Sequence, residues 1–541
     1  MKTSVTANQR MQRGFSSKRL FVVAALCLVT LLTASASGSA PPTALTESGL
    51  VTGLTAEGMN EFLGIPYAAP PVKNLRWRPP ARYGTFPGSS LLATQFGSEC
   101  TQPGGGSENC LFLNVYTPLT ATAVVKHGLP VMVWIHGGGF TTGGGDLYDP
   151  NPLVKDGVIV VTINYRLGYL GFFAQSAIDA EHHIKGNYGF MDQQFALRWV
   201  RRNIAAFGGD PTRVTIFGES AGGLSIYAQL ASPLAAGLFH GAISESGSYL
   251  EFQDYFSYMV TLAVGETAGN GLVPSGAAIA DNVGCANQKS TCLRAVPAAM
   301  MIAGEPAAFP FVDGSLLTQT ISAAFTSGEF NRVPVISGTN HDEYRLFVAY
   351  EYDRVGNPIL TSSEYDPAVT ALWGPSLAPS VLASYPFSSY PFGGEALAAS
   401  GTDGEFSCPA RIADQSLSKY VTTYAYEFND ENAPPAQSEL SWLTFPLGAY
   451  HSADLLYLFE SNSNFEFGGG MLSPAQVQLS DAIISYWTQF AATGNPNSSA
   501  EPVWSPYSAS SDQFQSLTPP TPTVEFNFAA DHQCSTFWDT F

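Results

Sequence analysis

Residues 213–231 read RVTIFGESAGGLSIYAQLA, and the order of chemistry along them decides the architecture. A short apolar run at 213–217 ends in Gly218-Glu219-Ser220-Ala221-Gly222, and small residues of helical character follow. Between a strand and a helix, a G-x-S-x-G is a sharp turn that lifts the serine hydroxyl above a sheet, because the flanking glycines leave room for the crossing chain. The amino end of the helix then aims backbone N–H groups at the atom the serine would attack. Glycine and serine are common, so the pentapeptide alone carries little weight; the strand before it and the helix after it make Ser220 the candidate nucleophile.

Working outward, further apolar runs appear at 111–117 (LFLNVYT), 130–140 (PVMVWIHGGGF) and 158–165 (VIVVTINY). Runs this apolar suit a sheet covered on both faces. Segment 192–210 places Phe195, Leu197, Trp199, Val200 and Ile204 on one helical face and stops at Gly208-Gly209. Strand, crossover helix and strand is the unit of a parallel sheet, so the fold class is a doubly covered α/β. Earlier, 50–54 and 61–67 read as short strands of a hairpin at a sheet edge. Neither a fixed-period repeat nor a long low-complexity linker breaks the chain, which predicts one continuous domain over 37–541.

An activated serine needs a base and an acid that orients it, which in such a fold follow in the order Ser, Asp/Glu, His. Of the eight histidines, only His451 and His532 satisfy that order after a plausible acid. His532 lies two residues before Cys534, in a C-terminal tether, so His451, in the loop GAYHSADLL, is preferred. For the acid, the run VPVISG (333–338) ends in Thr339-Asn340-His341-Asp342-Glu343, where both Asp342 and Glu343 qualify. The stretch His136-Gly137-Gly138-Gly139-Phe140 has glycines whose N–H groups can approach a substrate oxygen, as an oxyanion hole requires. A phosphate loop would need GxxxxGK[ST], and that lysine is missing.

Composition narrows the function. Of 541 residues 45% are hydrophobic and 13% charged, which excludes a disordered chain, and the net charge of −20 repels phosphate backbones and argues against nucleic-acid partners. Five cations (Lys2, Arg10, Arg13, Lys18, Arg19) precede the first acid, Glu47. The apolar run 20–32 and Ala34-Ser35-Ala36 follow them, the layout of a cleaved secretory signal over 1–36, with a retained anchor as the alternative. Its removal leaves nineteen cations against 44 acids and a secreted, acidic chain without a stable membrane span. Cys27 goes with the leader, and six cysteines remain. Their spacings invite Cys100 with Cys110 and Cys285 with Cys292, which leaves Cys408 with Cys534, although spacing alone cannot fix connectivity. Without CxxC or HExxH spacing, neither a metal nor a cofactor is expected. Asn497-Ser498-Ser499 is the only glycosylation sequon. Phe309 and Phe311 could line an acyl pocket, but core packing is the simpler reading.

These residues together resemble the type-B carboxylesterase/lipase family of α/β-hydrolases, which includes cholinesterases and neuroligins. The match runs through 62–68 (FLGIPYA), 107–111 (SENCL), the HGGGF run, Asn164-Tyr165-Arg166, Asp192-Gln193, 207–211 (FGGDP) and the Ser220 pentapeptide. The resemblance implies an α/β-hydrolase fold: a large, mostly parallel sheet covered by helices on both faces, with small antiparallel strands at the N-terminus. It implies a serine esterase acting on a small-molecule ester, with Ser220 as nucleophile, His451 as base and Glu343, in its GTNxxE-like loop, as acid. It further implies oxyanion donors from Gly138, Gly139 and Ala221, a hydrogen bond from Ser246 to the acid, and the three cysteine pairings above. In cholinesterases and fungal lipases of this family the first disulfide encloses a long loop, whereas here nine residues separate Cys100 from Cys110 and none is tryptophan. A choline cage and a large lid both lose their usual place. A long-chain lipase and a non-catalytic, neuroligin-like ectodomain remain the rivals.

Overall fold

In the computed structural model, residues 40–121, 128–248, 259–269, 274–303, 309–435, 440–460 and 471–541 are described. The expected leader, 1–36, lies outside them. Residues Pro41–Phe541 form one compact unit. At its centre are eleven strands, in the order Thr523–Glu525, Phe514–Leu517, Thr423–Phe428, Val335–Asn340, Gly241–Glu245, Gly209–Glu219, Leu129–Ile135, Ile159–Ile163, Phe112–Pro118, Met59–Pro66 and Leu54–Ala56. Six of the neighbouring pairs are parallel and the four at the two edges antiparallel.

The fully apolar strands are explained by the two cores they separate. Along Leu129–Ile135, Val131, Val133 and Ile135 enter one hydrophobic cluster and Met132 and Trp134 the other, as the period-two alternation of a strand demands. On the first face lie helices Tyr188–Asn203 and Ala221–Ala231, and on the second Pro474–Thr493, which contributes Trp487 and Phe490. The predicted crossover helix therefore exists as Tyr188–Asn203, followed by a 3₁₀ turn that ends at Gly208 with φ 89°.

At the N-terminus the pairing differs from the predicted hairpin. Gly49–Thr52 pairs antiparallel with Thr43–Thr46 and parallel with Ser90–Leu92 in a separate three-stranded sheet, whereas Leu54–Ala56 pairs with Met59–Pro66 at the edge of the large one. The chain changes sheets at Gly53, whose N–H bonds Pro42 O, so one apolar stretch serves two sheets. Three disulfides join Cys100 to Cys110, Cys285 to Cys292 and Cys408 to Cys534. Phe311 is buried in the first core, in line with packing. Among the described residues no helix is long and apolar enough to cross a membrane.

Candidate active site

The strand Gly209–Glu219 ends at Ser220, which sits at φ 56°, ψ −124°, and the helix Ala221–Ala231 begins immediately after it. A non-glycine residue in that region is strained, and strain of this kind persists only where the surroundings enforce it. They do so here: Ser220 N–H bonds Glu245 O at 2.9 Å on the next strand, and Leu224 N–H bonds Ser220 O at 2.8 Å. A Cβ at Gly222 would stand 2.0 Å from Ile135 O and one at Gly218 2.5 Å from the same atom. Both glycines of the pentapeptide are therefore required by the close approach of the neighbouring strand.

His451 and Glu343 come together from distant parts of the chain, His451 Nδ1 lying 2.5 Å from Glu343 Oε2. The other carboxylate oxygen of Glu343 accepts from Thr339 Oγ1 and Asn340 N–H, both at 2.8 Å. Asp342, the rival acid, faces away: it accepts from Ala449 N–H at 2.9 Å and pairs with Arg345 at 3.0 Å and with His341. Phe347 and Phe406 lie over the His451 ring, with centroids 5.0 and 5.2 Å from it. His451 Nε2 lies 3.2 Å from Glu219 Oε1.

The charges beneath the ring are mostly negative. Burial opposes charging His451, but Glu219 and Glu343 outweigh it and hold the imidazole up at about 9. Burial pushes Glu219 up to about 7 against the pull of His451, and pushes Asp454 up to about 6 with Glu343 adding to the rise. Burial also raises Glu245 well above the usual carboxylate range, while Trp487 Nε1 donates to its Oε1 at 2.7 Å. Carboxylates of this kind hold protons that an imidazole in solution would not meet, so the site can titrate as a group.

Above the serine, Gly138 and Gly139 are exposed, and a Cβ on Gly139 would meet nothing nearer than Thr141 Oγ1 at 3.8 Å. The loop is nevertheless seated against the turn, since a Cβ on Gly137 would stand 3.1 Å from Ser220 Cβ. Ala221 N–H, first in its helix, has no partner within that helix. His136 is fully buried and stacked on Tyr165, with desolvation lowering it to about 4, so it serves the loop as a neutral ring. The short Cys100–Cys110 loop braces this region: Gln102 Nε2 donates to Gly143 O at 3.0 Å and its Oε1 accepts from Gly143 N–H at 2.7 Å.

The family profile of carboxylesterases matches residues 40–537. The chain belongs to the carboxylesterase family. It is 34% identical over 478 residues to fumonisin B1 esterase of Sphingopyxis macrogoltabida, covering 85% of this chain and 83% of that one. It is 35% identical over 481 residues to para-nitrobenzyl esterase of Bacillus subtilis (84% and 90%) and 33% identical over 539 residues to human cocaine esterase (90% and 89%). A solved structure of PNB esterase superposes with a TM-score of 0.74 at 33% identity, covering 91% of this chain and 98% of that one. The expected α/β-hydrolase fold and the expected enzyme class, a hydrolase of carboxylic esters of small molecules, both stand.

One sequence-based expectation for this esterase needs revision. The Ser246 hydroxyl is buried without a hydrogen-bond partner among the described residues, so it does not bind the acid. Thr339 and Asn340 reach Glu343 from its own strand end, and the local loop closes on the carboxylate before the neighbouring strand can. Asn497 is only partly buried, but its Nδ2 donates to Asn495 Oδ1 at 2.8 Å and Trp504 O at 2.9 Å, so a glycan there would displace one of these bonds. Sequence reasoning overlooked Glu219, Thr339, Phe347 and Phe406 around His451. Glu219 was in view inside the pentapeptide, at a position the motif leaves free. The two phenylalanines carry no local signal, because helices distant in the sequence bring them there.

Proposed function

We propose that this esterase is secreted and cleaves carboxylic esters through an acyl-enzyme on Ser220, with His451 as general base and Glu343 as the acid that orients it. Ser220 Oγ attacks the ester carbonyl as His451 Nε2 takes its proton; the alcohol leaves with that proton, and water repeats the sequence on the acyl-enzyme. Gly138, Gly139 and Ala221 N–H groups face the developing oxyanion, each such donor being worth about 3 kcal/mol of barrier. The observation that carries the reading is the strained Ser220 turn beside a His451–Glu343 contact of 2.5 Å. Nε2 must be free of a proton to act, which requires the shared proton of the Glu219–His451 pair to rest on Glu219 or leave. The leader 1–36 and three disulfides support export. The short braced loop favours soluble esters over emulsified acylglycerols.

The test is covalent labelling with a fluorophosphonate, followed by peptide mapping, together with rates on a short p-nitrophenyl ester. Label on Ser220, and loss of both label and turnover in Ser220→Ala, is the expected result. An unlabelled wild-type protein would indicate a binding ectodomain, and faster hydrolysis of emulsified triglyceride than of the soluble ester would indicate a lipase.

A further inference from the structure

Away from Ser220, His341, Glu427 and His532 each place one possible ligand atom within 4.8 Å of the others. They come from three elements. His341 follows the strand Val335–Asn340, Glu427 lies opposite Thr339 on the adjacent strand Thr423–Phe428, and His532 ends the short helix Phe528–Asp531. Each imidazole sets its Nδ1 against a carboxylate, His341 on Asp342 Oδ1 at 3.2 Å and His532 on Asp403 Oδ1 at 2.6 Å. A carboxylate that accepts Nδ1–H leaves Nε2 as the nitrogen open to a metal, the arrangement that accompanies metal-bound histidine, and on His532 the proton now on Nε2 is shared with Glu427.

The remaining geometry agrees. His532 Nε2 faces Glu427 Oε1 at 2.5 Å, and Asn429 Nδ2 holds Glu427 Oε2 at 2.8 Å while reaching Glu525 Oε2 at 3.4 Å. The two imidazole centroids are 5.4 Å apart and the rings are inclined by 58°. Two imidazoles on one tetrahedral ion, with bonds of about 2.1 Å, would have centroids about 5 Å apart. Glu427 and His532 are buried, whereas the His341 side chain is 34% exposed and gives an ion a way in.

We propose that His341 Nε2, His532 Nε2 and the Glu427 carboxylate form a binding site for one divalent zinc-class ion. Two imidazole nitrogens select against magnesium and calcium, which take oxygen ligands. Binding sends the proton shared by His532 and Glu427 to solvent and widens their 2.5 Å contact by roughly 1 Å, to the separation of two ligands on one zinc. The ion fastens the C-terminal segment, already held by Cys408–Cys534, to the loop that runs from His341 to Glu343.

The full mature chain, dialysed against a chelator, is titrated with Zn²⁺ alone, with bound zinc counted by elemental analysis and thermal unfolding followed in parallel. One zinc per chain and a raised Tm are expected. His341→Ala should weaken binding by at least about 10-fold with an unchanged circular dichroism spectrum. If that variant fails to fold, His341→Gln is read in the same way. Among the described residues, a second cluster of possible ligands, Glu57, Asp149 and Glu460, holds only carboxylates, so Glu460→Gln should bind zinc as the wild type does. Absence of stoichiometric zinc on the wild type, unchanged binding by the folded His341 variant, or loss of zinc in Glu460→Gln overturns the site.

Discussion

His451 and His532 live in nearly the same electrostatic setting and differ in what stands beside them. Each is buried with both ring nitrogens facing carboxylates: Glu343 and Glu219 for His451, Asp403 and Glu427 for His532. In both, acids overcome desolvation and favour the charged ring. Yet His451 meets Glu219, the residue before Ser220, whereas His532 is packed on Phe528 and its carbonyl oxygen lies against Cys408 of the C-terminal disulfide. A carboxylate partner on an imidazole is therefore not evidence of a catalytic base; a nucleophile and an open path for substrate are.

This contrast can be broken by mutation. His451→Ala should lower kcat on a p-nitrophenyl ester by about 10⁴-fold or more even in the fraction that stays folded, and should also lower the urea midpoint, because Glu343 and Glu219 are left buried without their partner. Next in size is Glu343→Gln, expected to lower kcat by about 10³- to 10⁴-fold through loss of the tautomer that presents Nε2. Asp342→Asn should stay within about 10-fold in the same assay, because its carboxylate binds Arg345 and Ala449. A dead Asp342 variant beside an active Glu343 variant would reverse the choice of acid.

His532→Ala should differ from His451→Ala in activity and not in stability: it too loses about 3–5 kcal/mol in urea unfolding, because Asp403 and Glu427 are left buried without their partner, but its folded fraction still labels at Ser220 and turns over ester. The smallest effect sharpens the comparison from the catalytic side. Glu219 helps raise His451 to about 9, so Glu219→Gln removes a negative charge, destabilises the imidazolium and lowers its pKa. Since the base must be deprotonated, the acid limb of kcat/KM should move to lower pH. An unmoved limb would mean that Glu219 does not share the proton.

Much of this was legible in one dimension. The Ser220 turn could be read because strand, glycines and helix are neighbours in sequence and each satisfies a local steric demand, as the 2.0 Å approach of Ile135 O to a Cβ at Gly222 makes explicit. The apolar runs likewise announced a sheet with two covered faces, because alternate residues of one strand must fill two cores. Choosing Glu343 over Asp342 was different: adjacent acids point to opposite sides of a loop, and only the packing of 450–454 against it decides which one meets the imidazole.

The order of elements and the elbow were thus determined by the sequence itself, through local sterics and periodicity, and the acidic character of the chain by its composition. Tertiary structure alone decided that the Ser246 hydroxyl does not reach Glu343, that Glu219 meets His451, and that His341, Glu427 and His532 converge. Such contacts join segments far apart in the chain, and their geometry is set by how strands register and helices pack, for which no short spacing of residue types can stand in.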